Sequence, residues 1–235
     1  MKRRSILTLA ASILLVATLA GPTFALTVSY IDQGSPSQIA SITVLENNGS
    51  VYSGGVYTGP YNLSVPGYDS AWMCFDAGTT VSSLPWTALV ADTATAATYL
   101  NSDKVNMIAY LANQWNGSAP SETNRNINLA MWEIMVDYDG TLSSLNLAAG
   151  NFQSSSYSGN VDYLTDAFDT LGSGVVYQAV FLLPGQYNDK GVWVLDRTGT
   201  QPFVQPVPEP GTLLLLGSGL FGLGAWRRHN RRSAA

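Results

Sequence analysis

The first third of the chain alternates apolar and polar positions. Leu26-Thr27-Val28-Ser29-Tyr30-Ile31 and the run from Ile39 to Leu45 do so with many β-branched residues, which predicts strands. Glu46-Asn47-Asn48-Gly49-Ser50 reads as a turn, and Val51-Tyr52, Val56-Tyr57 and Tyr61 to Val65 as short strands broken by Gly and Pro. Ala71 to Asp76 closes the series. The period then lengthens to three and four. Asp92 to Trp115 predicts one helix with Val105, Ile108, Leu111, Ala112 and Trp115 turned inward. A second is expected over Glu122–Val136, with Ile127, Ala130, Met131 and Ile134 on one face. A third is expected over Val161–Leu171, capped by Asn160 and stopped by Gly172. Alternation returns in Val175–Leu183 and Val192–Leu195. Strands, helices, then strands again predict an α+β fold: a β-sandwich or barrel-like β domain over residues 26–197 with a helical insert at about 92–171. Residues 198–206 read as a linker.

Both ends break these patterns. Met1-Lys2-Arg3-Arg4, an apolar run from Ile6 to Leu19, and Thr23-Phe24-Ala25 form the layout of a secretory signal peptide, residues 1–25, cleaved after Ala25 by signal peptidase. At the other end Val207-Pro208-Glu209-Pro210 leads into an uncharged stretch, 211–226, followed by Arg227, Arg228, Arg231 and Arg232. Sixteen helical residues span about 24 Å, slightly less than the ~30 Å hydrocarbon core, a deficit that local thinning or snorkelling arginines cover. The stretch therefore reads as a C-terminal transmembrane helix. Its basic tail, 227–232, is retained in the cytoplasm and leaves the body outside.

Charge sharpens this picture. Between residues 26 and 206 fifteen Asp and Glu stand against Lys104, Arg125, Lys190 and Arg197, a balance of about −11. So acidic a body argues against nucleic acid as a partner. The single histidine, His229, lies in the basic tail. The body therefore lacks Ser-His-Asp and Cys-His catalysis and His-ligated zinc.

The order Pro-Glu-Pro, short apolar span and arginine cluster resembles the PEP-CTERM sorting signal, here residues 207–235. The resemblance implies a Gram-negative source and processing by an exosortase, a membrane-embedded transpeptidase-like enzyme. It also implies a destination at the cell surface or in an exopolysaccharide matrix. Proline fixes φ and removes donors, so Pro208-Glu209-Pro210 stays out of helices and sheets and accessible to such an enzyme.

Cys74 is the only cysteine, so no intramolecular disulfide forms. Met73-Cys74-Phe75-Asp76, with Ile127-Asn128-Leu129-Ala130-Met131-Trp132 on a later helix, resembles the thioester domains of bacterial surface adhesins. There a cysteine bonds to the glutamine of a Thr-Gln-x-Ala-aliphatic-Trp motif. Aligning Ala130 and Trp132 places Asn128 where the glutamine belongs, one methylene (about 1.5 Å) shorter. Cys74 and Asn128 are thus expected as a vestigial pair, with Cys74 a small buried apolar residue and Trp132 core. Leu145-Asn146-Leu147 and Gly150-Asn151-Phe152 accompany this body in the resemblance.

Other chemistry is sparse. Asp137-Tyr138-Asp139-Gly140 starts like a calcium loop, but Ala148 stands where the bidentate Glu belongs, so no metal and no cofactor is expected. Tyr52, Tyr57, Tyr61 and Tyr68 are candidates for stacking on sugar rings. The expectation is an exported, non-enzymatic surface or matrix protein, with exopolysaccharide or matrix components as partners. Two alternatives stand beside it: a thioester adhesin acting through Cys74, and a glycan hydrolase using carboxylates such as Asp137 and Asp139.

Overall fold

A computed structural model describes residues 24–35, 38–45, 51–115, 121–158, 162–196 and 199–207. Its framework is antiparallel. Strands β1 (Phe24–Gln33), β2 (Gln38–Leu45), β3 (Val51–Thr58), β4 (Pro60–Ser64) and β5 (Ala71–Cys74) follow in chain order. After them come β6 (Trp86–Asp92), β7 (Phe152–Ser154), β8 (Ala179–Tyr187), β9 (Trp193–Leu195) and β10 (Phe203–Pro206). The larger sheet runs β10-β5-β4-β1-β6-β8-β9, and β10 also pairs with β8, so six strands close into a barrel. A smaller sheet, β3-β2-β7, stands beside it. Four helices, α1 (Thr93–Tyr99), α2 (Ser102–Gln114), α3 (Ser121–Asp137) and α4 (Tyr163–Ser173), make up the insert.

Closure of the barrel corrects the reading of residues 198–206 as a linker. In β10, Phe203 pairs with Cys74 on one side and Leu182 on the other, and Phe203 and Val204 are fully buried. The body extends to Pro206. Too short for alternation to register, this strand followed a turn-like Thr-Gly-Thr and was flanked by prolines. β6 was also unforeseen. Ala88 to Ala91 are buried on both faces, so the strand shows no polar alternation.

The expected helix over 92–115 is two. Asp92 caps α1 by accepting from the Thr95 amide at 2.7 Å, and Asn101 caps α2 by accepting from Asp103 and Lys104. Asp162 is the N-cap of α4, accepting from the Thr165 amide, and Gly174, in the left-handed region, is its C-cap in place of the expected Gly172. Strand β8 begins four residues later than expected and runs through Pro184-Gly185, leaving Val175 and Val176 exposed before it.

The core divides along the barrel wall. Trp72, Cys74, Ala88, Val90, Leu182 and Phe203 face inward, while Met73, Phe75, Leu89, Ala91, Phe181, Leu183 and Val204 face the helices. This is the period-two alternation of a strand buried on both sides. Helix α3 serves both clusters. Leu129 and Trp132 join the inner one, Ile127, Ala130, Met131 and Ile134 the outer, and residues 126–135 are all buried. One inward stripe was expected; a helix enclosed all round was found.

The expected cleavage after Ala25 falls inside β1, whose Phe24 and Ala25 pair with Val90 and Leu89. The remainder of the signal peptide, the turn at 46–50, Pro208, Glu209, Pro210, the apolar stretch and the four arginines lie outside the described residues. Among the described residues no helix is long and apolar enough to cross a membrane.

Candidate functional site

Two places concentrate chemistry. The first lies where α3 meets β5. Cys74 is fully buried, a free thiol on the inner face of the barrel. Asn128, also fully buried, lies beside it as the motif alignment expected. Its Nδ2 donates to the Cys74 carbonyl at 2.6 Å and stands 3.8 Å from Cys74 Sγ, while its Oδ1 accepts from the Gly59 amide at 3.0 Å. Gly59 has φ of 116°, a conformation that glycine adopts readily and that holds this amide at the tight β3–β4 turn. Burial pushes the Cys74 thiol up to about 12; the Trp132 indole and the Asn128 amide, both near the sulfur, partly offset this. The thiol is therefore protonated at neutral pH, the opposite of an activated nucleophile.

Two further carboxylates of α3 bind the segment that follows it. Glu133 Oε1 accepts from the Asn146 amide at 2.6 Å. One turn on, Asp137 accepts from the amides of Asn151 at 2.8 Å and Phe152 at 2.7 Å. This accounts for both elements noted after the helix: Leu145-Asn146-Leu147 is held by Glu133, and Gly150-Asn151-Phe152 by Asp137. Gly150 has φ of 99°, and a Cβ there would stand 2.6 Å from Asp137 Oδ2, so the loop requires glycine. Glu133 is fully buried, its Oε2 has no hydrogen-bond partner, and burial raises its pKa to about 8. Sequence pattern missed Glu133 because it lies between core positions of an apolar helix.

The resemblance to a calcium loop does not extend to its ligands. Asp137 is taken up by the two amides, and Asp139 Oδ1 accepts from the amide and hydroxyl of Thr141, which hold its pKa down. No group of three acidic, histidine or cysteine side chains suited to a metal occurs among the described residues.

The second place is a cavity of about 780 Å³ between the smaller sheet and the barrel. Tyr30 comes from β1, Tyr52 and Tyr57 from β3, Tyr61 from β4, Trp132 from α3, and Gln201 from the approach to β10. The loop 77–83 supplies Thr79, Thr80 and Ser83. Tyr52, Tyr57 and Tyr61, expected as sugar-stacking candidates, converge here. Tyr68 does not; it packs on Trp72, ring centroids 5.9 Å apart. Among the described residues no charged side chain lines the cavity, and Asp137 and Asp139 are not among its lining residues.

The fold is thus a closed antiparallel barrel with a four-helix insert and an uncharged aromatic cavity. Its last strand runs directly into the tail. Residues 206–232 match the PEP-CTERM protein-sorting motif, so the chain carries the signal of an exosortase substrate beginning at the final residue of β10. No curated protein and no solved structure gives a significant match. The resemblance to thioester domains is not shown by these comparisons.

Proposed function

We propose that this is an exported, non-enzymatic protein of the cell surface or exopolysaccharide matrix, held in the inner membrane by its tail until an exosortase processes it. The sorting motif at residues 206–232 carries this reading. Signal peptidase removes the first end and the exosortase the second, with Arg227, Arg228, Arg231 and Arg232 keeping the C-terminus cytoplasmic meanwhile. Three observations support a non-enzymatic body. Its thiol is protonated, its paired aspartates are occupied by hydrogen bonds to nearby loops, and no carboxylate lines its cavity among the described residues. The test is tail processing in an exosortase-bearing host and in a strain lacking the enzyme. Loss of the tail in both would refute the assignment.

A second reading, a thioester adhesin, is favoured by the 3.8 Å approach of Asn128 Nδ2 to Cys74 Sγ. The step would be attack of the Cys74 thiolate on Asn128 Cγ, breaking the Cγ–Nδ2 bond with loss of ammonia. The carboxamide's engagement at both ends and the raised thiol pKa weigh against it.

A further inference from the structure

We propose that the tyrosine-lined cavity is a binding site for a neutral oligosaccharide segment. Its volume of about 780 Å³ falls within the ~300–1,000 Å³ of small-molecule sites, enough for several sugar rings in line. The lining combines two kinds of surface. Tyr52 is 49% exposed and lies on the face of β3 that pairs with the buried Ile42 and Val44, so it offers an apolar ring face to the C–H face of a pyranose. The lining also carries uncharged polar groups: Gln33, Thr79, Thr80, Ser83 and Gln201.

Two of these are unfinished. Gln201 is 7% exposed, and its Nε2 donates to the Thr79 carbonyl. Its Oε1, however, has no hydrogen-bond partner, and neither has Thr79 Oγ1. Buried polar atoms ordinarily find partners. Both atoms belong to residues that line the cavity and are joined by that hydrogen bond, and they leave donor and acceptor capacity that a sugar hydroxyl bound beside them could take up.

Charge decides the class of ligand. A phosphate, uronate or ammonium group brought into this cavity would be desolvated with no counter-charge among the lining residues, a large cost. The body's balance of about −11 further repels acidic polysaccharide. A purely apolar ligand would leave Gln201 Oε1 and Thr79 Oγ1 unsatisfied. A neutral polyhydroxylated chain meets all three conditions. The inference deepens the matrix-protein reading by naming the partner's chemistry, but the binding itself does not depend on tail processing.

The experiment uses the full chain in lipid nanodiscs, free of sugar-bearing detergents. It is probed against neutral tetrasaccharides of glucose, mannose and galactose and against tetragalacturonate. Retention of at least one neutral probe and none of the uronate is expected. Tyr52→Ala should weaken that binding roughly five- to tenfold without changing the melting transition. Tyr187→Ala, an exposed tyrosine outside the cavity, should leave it unchanged. Failure to retain any neutral probe, retention of the uronate alone, or equal losses for Tyr52→Ala and Tyr187→Ala would overturn the proposal. None of these outcomes bears on export, which the processing assay tests separately.

Discussion

Asn128 reaches across 54 residues to donate a 2.6 Å hydrogen bond to the carbonyl of Cys74, in a fully buried site. With the Gly59 amide on its Oδ1, this one carboxamide ties α3 to β5 and to the β3–β4 turn. Asn128 thus acts as a hydrogen-bonded clamp between the helix and the strands.

The wild-type chain is therefore expected at its full mass, with no loss of the ~17 Da of ammonia and no methylamine uptake. Cys74 should react with a maleimide only after denaturation, because it is buried and protonated at neutral pH. Replacing Asn128 with Ala leaves the Gly59 amide and the Cys74 carbonyl buried without their partner. That should cost about 2–4 kcal/mol in chemical denaturation. An intact mass about 17 Da light, with methylamine incorporated on treatment, would make the protein a reactive adhesin instead.

Phe203 tests the barrel closure. It packs edge-on to Tyr61 at 5.7 Å and stacked on Trp86 at 6.1 Å, between two paired strands. Phe203→Ala should destabilise the body by about 3–5 kcal/mol, the range for a large buried aromatic. A loss below about 1 kcal/mol would mean that residues 198–206 behave as the linker first expected.

Glu133 predicts a pH dependence. Its folded pKa of about 8 lies above the ordinary 4.5, so its contribution to stability is fully present below about 4.5 and is lost as pH rises through about 8. Between about pH 5 and pH 8 it should therefore lower stability by at most about 1.4 kcal/mol per pH unit. Glu133→Gln should remove that slope while keeping the hydrogen bond to Asn146. Identical slopes for the two proteins, from urea unfolding across this window, would exclude the assignment.

The tail supplies the fourth expectation. Mass spectrometry of released protein should find no peptide from Gly211 onward. Neutralising Arg227, Arg228, Arg231 and Arg232 together should slow processing, because those charges hold the C-terminus inside. Unchanged processing in that variant would argue against the topology.

Sequence alone determined the features that are local or periodic. The sorting signal is contiguous, so its three parts could be read in order. Strands β1, β2, β4 and β5 carried alternation, and helices α2 and α3 carried spacings of three and four. Cys74 and Asn128, singled out in the sequence as a pair, lie in contact. What only the tertiary structure decided depends on groups distant in the chain. β10 became a strand because β5 and β8 leave it a place between them; its four residues hold no pattern of their own. Glu133 acquired its raised pKa from burial by neighbours on other elements, not from its flanking residues. The cavity draws on residues from Tyr30 to Gln201, and of these only Trp132 belongs to a motif noted in the sequence. A cavity assembled from seven separate segments exists only once the barrel has closed.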